Sequence, residues 1–304
     1  FGPGIGIGHG DAGGFGAGGL GVDHRLEGLL HTVPAIVAVH GEIAPTDGGD
    51  SDIAGAVQRL FEPFEIAARG FGQHVAPVGD GVQGDGNARF APHKPLLLLC
   101  LIDLADEGKL DPPLLFKTPD LRLRFDSYWA ICQARWGGQP GLDLPFHHLA
   151  TQGFWSPLTR EGTVSHGPRG TDHVRLASEF VADLQDKERR NAIRRVLVER
   201  WFPQAEQSAL FTAMGISKAD LRRQQFRAIP ADDGLEQKGR DARFRVVVVT
   251  QYRFTCALTG YGAHTRKGHS IVEAAHIHQF SKSRDNGPEN GLALSRDAHW
   301  MFDE

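Results

Sequence analysis

His276, Asn290 and His299 stand 14 and then 9 residues apart near the end of the chain, with Glu273 and Asp303 on either side. An imidazole titrates close to neutrality, so it can take a proton from water at cellular pH. An imidazole beside a carboxylate makes a mixed nitrogen and oxygen donor set that suits Mg²⁺, Mn²⁺, Ni²⁺ or Zn²⁺. Together these groups could make a water nucleophilic and hold a cation beside it. Singly, each residue has a plainer reading. A histidine is commonly a hydrogen-bonded core or surface residue, Asn290 before Gly291 is a turn signal, and Asp303 fits a solvated helix face.

The surrounding sequence predicts elements that would hold these groups. EAAHI reads as a strand that carries His276, SKSRDNGPEN as a turn-rich loop, and LAL as a second strand. SRDAHWMFDE begins a helix with Ser295 as its N-cap, and His299 and Asp303, four apart, share one face of it. His278 either shares the face of His276 by strand alternation or adds a second imidazole to the site.

CALTG, EAAHI, NGLAL and HWMFD follow one another over about Tyr252 to Glu304. In this order the segment resembles the HNH endonucleases. The resemblance implies a small ββα-metal fold that grips one divalent cation, Mg²⁺ or Mn²⁺ foremost. It implies His276 as general base, Asn290 as brace of the loop, and His299 as a metal ligand with Asp303 one turn later. Three departures stand out: Ala275 occupies a position where many members have a ligand, so that Glu273 or water would substitute; CALTG lacks the CxxC of a zinc ribbon; and Gln279 replaces a proline. Four consecutive valines in RFRVVVVTQY favour a strand by propensity, whereas the resemblance favours a helix. The helix is adopted. His264 and His269 are given no role beyond phosphate contact. The family helix continues past the position of Glu304, which makes this chain an expected truncated form.

Residues 89–215 are the segment available for choosing DNA. APHKPLLLL and LPFHHLATQGFW look like the sulfur-binding domain of McrA-like, modification-dependent restriction endonucleases, which recognise phosphorothioate DNA. That resemblance places Pro145, Phe146 and His147 near a sulfur-accepting pocket, while a packed turn explains LPFHH equally well. Arg189 and Arg190, with Arg194 and Arg195, line one helix as candidate phosphate contacts. The alternative is a solvated face paired with Asp186 and Glu188. Helices are also expected over PLLLLCLIDLA from Pro95 to near Gly108, over RFDSYWAICQARW, within 174–202 and over QSALFTAMG. A hairpin or loop is expected between Leu142 and Leu158.

At 304 residues the chain has room for about two domains. The expected class is α+β: a mostly helical recognition domain over 89–215, a charged linker over 216–240 and the nuclease domain over 241–304. Residues 1–88 are glycine-rich, and the first ninety residues lack Lys, Cys, Met, Trp and Tyr, so they read as disordered or as non-native coding sequence. A phosphate-cradling loop is disfavoured there because no strand precedes the glycines. The net charge of −4 hides an asymmetry: residues 1–93 hold eleven acidic and four basic residues, which leaves +3 on the remainder. Three distant cysteines suit a reducing compartment, and no apolar run reaches a membrane span of roughly 18 residues. Composition suggests a cytoplasmic protein, and the two resemblances imply a restriction-type endonuclease with modified DNA as its partner and, by analogy, a homodimer for double-strand cutting. The competing readings are a DNA-binding protein with a degenerate, non-cleaving nuclease domain and an RNA or single-strand processing enzyme.

Overall fold

The computed structural model describes residues 91–223 and 232–304, all within one compact unit. The expected Gly-rich segment 1–88 lies outside the described residues. The architecture is α+β, built from helices and two small sheets.

Helix α1 (His93–Asp106) is apolar all round, and every residue from Pro95 to Leu104 is buried. It begins two residues before the expected Pro95, which sits in the first turn, where a missing N–H costs no helical bond. Strand β1 (Leu114–Phe116) follows, then α2 (Pro119–Trp136), whose N-cap Thr118 accepts the Leu121 amide. Gly137 ends it at φ +72°.

The expected hairpin or loop after Leu142 is instead helix α3 (Asp143–His148) and a 3₁₀ turn over Leu149–Gln152. Leu142, Phe146 and Leu149 recur at helical spacing and are fully buried, and that packing outweighs the turn signal of Pro145. Strands β2 (Trp155–Leu158) and β3 (His173–Leu176) complete an antiparallel sheet of order β1-β3-β2. Helices α4 (Ser178–Gln185), α5 (Lys187–Trp201) and α6 (Gln204–Ala213) then close the first core.

The expected linker contains α7 (Lys218–Arg223) and the start of α8 (Asp233–Gln251), and the expected boundary at 240/241 falls inside α8. The four valines are helical, as the resemblance favoured. Asp232 caps α8 by accepting the Leu235 amide. The first half of α8 packs on α6. Glu236, 7% exposed, bonds to Ser208 and to Thr212, and a Cβ on Gly239 would come within 2.5 Å of the Ala209 carbonyl oxygen. The second half puts Phe244 and Val248 into a separate core with Cys256, Val272, Leu294 and Ala298. At 19 residues the helix runs roughly 28 Å and serves both cores.

Strands β4 (Val272–His276) and β5 (Gly291–Ser295) pair antiparallel, His276 opposite Gly291 and Glu273 opposite Leu294. Between them lie the one-turn helix α9 (Phe280–Ser283) and a 3₁₀ turn over Pro288–Asn290. Helix α10 (Arg296–Asp303) follows β5, capped by Ser295, which accepts the Ala298 amide at 3.4 Å. A second bridge joins the two cores. In the 263–270 loop, Arg266 pairs with Asp172 at 3.0 Å and Lys267 with Asp143 at 2.8 Å. No helix among the described residues is long and apolar enough to cross a membrane.

The first core encloses a charge network. Arg124 is fully buried and pairs with Asp103, with Glu107 at 2.6 Å and with Asp120 at 2.7 Å, and the Tyr128 hydroxyl donates to Asp103. Replacing Arg124 by Met leaves the buried Asp103 without its cation. The variant is expected to lose about 3–5 kcal/mol of stability in urea denaturation, and an unchanged midpoint would contradict this.

Candidate active site

The β4–β5 hairpin and α10 carry the predicted residues, and strand alternation sorts them. Glu273 faces α10, where its Oε1 lies 2.9 Å from Nδ1 of His299. His276 ends β4 on the other face, with its ring stacked on Phe244 of α8 at 3.9 Å and 4°. The Phe280 ring lies 5.6 Å away. Two groups result, three residues of β4 apart, or about 10 Å along an extended strand.

The first group is Glu273, His299 and Asp303. An ionised carboxylate only accepts, so Nδ1 of His299 carries the proton given to Glu273. The other ring nitrogen, Nε2, then presents its lone pair 3.4 Å from Oδ2 of Asp303. Two acceptors facing one another are satisfied by a cation or by a second proton on the ring. Glu273 therefore sits behind the histidine, where it fixes the ring's orientation. Ala275, at the position where a ligand was expected, is 1% exposed. The other Glu273 oxygen lies 3.8 Å from Arg296. Among the described residues no group of three or more His, Cys, Asp or Glu side chains is gathered as a metal would need.

The second group surrounds His276. Nε2 of its ring is 2.8 Å from Oδ1 of Asn286, and the Asn286 amide donates to Asp241 of α8 at 3.0 Å. Asn290 is 4% exposed and joins the ends of the loop between the strands. Its Oδ1 accepts the His278 amide at 2.7 Å, and its Nδ2 donates to the carbonyls of His278 and Asp285 at 3.1 Å each. Its own carbonyl accepts the Ile277 amide. His278 lies beyond the end of β4 and is exposed, so the shared-face reading does not apply to it.

Sequence reasoning missed Asn286, Asp241 and Phe244. Asn286 precedes Gly287 and read only as turn chemistry. Asp241 and Phe244 fall on one helical face with Gln237 and Val248, a 3–4 spacing visible once α8 is taken from Asp233.

Two features define a class of site: an antiparallel hairpin closed by a helix, and an imidazole at the strand end with an imidazole–carboxylate pair on the helix. A family model described as HNH endonuclease matches residues 256–304, which contain the hairpin, α10 and all five residues from Glu273 to Asp303 named at the outset. Residues 256–304 are thus an HNH endonuclease domain, which suggests DNA as substrate. No curated protein and no solved structure matches the chain.

The residues expected to contact DNA outside that domain sit on α3 and α5. Phe146 is fully buried, edge-on to Trp155, and its carbonyl accepts the indole N–H at 2.7 Å. Pro145 is buried as well, because α3 turns both inward. Arg189 pairs with Asp183 at 2.9 Å and Arg190 with Asp106 at 2.6 Å, while Arg194, 2% exposed, also pairs with Asp106. These pairs tie α5 to α4 and α1. His147 is partly exposed, and its Nδ1 lies 2.8 Å from the Thr171 hydroxyl. Burial and the neighbouring His148, His166 and Lys117 hold its pKa below the ordinary histidine value. Arg160 and Arg169 of the β2–β3 connection are exposed and with Arg266 line a cleft of about 290 Å³.

Asn290→Ala removes one acceptor and two donor contacts from the loop that carries Asn286. The expected cost is about 1–3 kcal/mol, with faster hydrogen exchange at the His278 amide. An amide that exchanges at the wild-type rate would show that Asn290 does not hold the loop.

Proposed function

We propose that the chain is a restriction-type DNA endonuclease that hydrolyses phosphodiester bonds with a divalent cation. Residues 89–215 select its target, modified DNA, with phosphorothioate the first candidate. The carrying observation is that the matched segment holds both an oriented imidazole at the end of β4 and a carboxylate-held histidine on the closing helix.

In this reading His276 takes a proton from water as the water oxygen bonds to phosphorus. The bond from phosphorus to the 3′ oxygen breaks, and the leaving oxygen takes up a proton from solvent. Phe244 keeps the imidazole from rotating away, and Asn290 keeps the loop beneath it closed. His299 through Nε2, together with the Asp303 carboxylate, would hold the cation, and water and phosphate oxygens would complete its shell. Such a cation, when bound, supplies positive charge for the phosphate and leaving-group oxygens. The exposed Arg160, Arg169 and Arg266 would contact the DNA backbone. Phosphorothioate selection rests on LPFHH and its neighbours. Leu144, 56% exposed, lines a cleft of about 430 Å³ with Asp143, Pro168, Arg169 and Lys267.

A second reading has a specific observation in its favour. Ala275 occupies a ligand position and only two donors face each other at His299 and Asp303, as in a DNA-binding protein that no longer cuts.

Cleavage of unmodified, phosphorothioate and base-modified plasmids by the full chain with Mg²⁺ or Mn²⁺ separates these readings. The expected result is cleavage of one modified plasmid and a loss of about 10²-fold or more for His276→Ala. Equal activity in the two proteins, or none in either, would remove the enzyme. Cutting of unmodified single strands would instead favour a single-strand enzyme.

A further inference from the structure

We infer that Asp241 and Asn286 together set the tautomer of His276, placing the ring proton on Nε2 and leaving Nδ1 as the nitrogen that accepts a proton. The inference rests on the reading of His276 as the base and adds two positioning residues to it, neither of which belongs to the motifs that carry the family resemblance.

Asp241 on α8 has an ionised carboxylate with lone pairs and no hydrogen to give. Gln237, one turn earlier on the same helix, donates its amide to Oδ1 of Asp241 at 2.7 Å, and Nδ2 of Asn286 donates to the same oxygen at 3.0 Å. Turning the Asn286 amide round would set its carbonyl against that carboxylate, two acceptors with no proton between them. The NH₂ group is therefore held toward Asp241, and Oδ1 is left facing Nε2 of His276 at 2.8 Å. A carbonyl oxygen only accepts, so Nε2 must be the donor. A neutral imidazole carries one N–H, so the lone pair falls on Nδ1.

The ring plane is held by stacking. It lies flat on Phe244, 4° from parallel, with Phe280 close by. Among the described residues nothing bonds to Nδ1, which leaves it available to water. The logic matches that of a catalytic triad, in which an acceptor on one ring nitrogen fixes the basicity of the other. Here a neutral amide touches the ring and the carboxylate stands one bond further back. When Nδ1 gains its proton, the Nε2–H···Oδ1 bond becomes charge-assisted and strengthens.

The test is a long-range ¹H–¹⁵N correlation spectrum of the full ¹⁵N-labelled chain without DNA, recorded with the histidine rings neutral. His276→Ala identifies the signals by their loss. The wild type is expected to show a protonated-type Nε2 and an unprotonated-type Nδ1. Asn286→Ala removes the acceptor, and Asp241→Asn lets the relay turn round, since an amide there can donate toward Asn286. Both variants are expected to move His276 to a mixture of tautomers while the β4 and β5 amide signals stay in place. A wild-type ring protonated on Nδ1 would overturn the inference, and so would a tautomer unchanged in both variants. The wild-type spectrum decides even where a variant fails to fold. An uncut plasmid would count against His276 as a base and leave this spectrum as it is, so failure of the nuclease reading and failure of the relay are distinguishable.

Discussion

The stack of His276 on Phe244 is the contact through which the candidate site depends on the rest of the chain. Two aromatic rings 3.9 Å apart and nearly parallel remove rotational freedom from the imidazole before any substrate arrives. Phe244 has its position because α8 is anchored at both ends. Gly239 allows the helix to touch the Ala209 backbone, while Val248 fills the small core beneath the hairpin. On the β5 side, a Cβ on Gly291 would come within 2.3 Å of Val248, so the glycine of NGLAL lets β5 approach α8 closely. The same helix supplies Asp241. A base set by α8 is therefore set relative to the first core as well, and the ion pairs of Arg266 and Lys267 add a second tie between the two.

On the two faces of β4 the chemistry is divided. One face addresses α10, where Glu273 orients His299, and the other addresses α8, where Phe244 and Asn286 orient His276. In each case a group that only accepts hydrogen bonds decides which ring nitrogen carries the proton. The two imidazoles are thus prepared by the same physical device, one with its free nitrogen toward Asp303 and the other with its free nitrogen toward water.

The terminal elements were legible in the sequence because local signals agreed there. The Ser295 cap, the alternation through EAAHI and the turn residues between the strands all pointed to one hairpin and helix. The valine run of α8 was not legible from propensity, since four β-branched residues favour a strand until Phe244 and Val248 gain a core to fill. Pro145 misled for a related reason: a proline early in a helix is cheap, and the buried Leu142, Phe146 and Leu149 decide the conformation. The pairing of Arg190 on α5 with Asp106 on α1 was not legible because the two lie far apart in sequence. Long-range ion pairs leave no local pattern to read. Asn286 was hidden in the same way, since Asn before Gly signals a turn whether or not its amide also joins a histidine to an aspartate.

The most direct test of the account is the single-turnover rate of plasmid cleavage by Phe244→Leu beside the wild type, at saturating protein and divalent cation. Leucine keeps the core filled but offers no ring for His276 to lie against. The account predicts a cleavage rate lower by about tenfold or more, with DNA affinity unchanged. Equal rates in the two proteins, or no cleavage by the wild type, would contradict it.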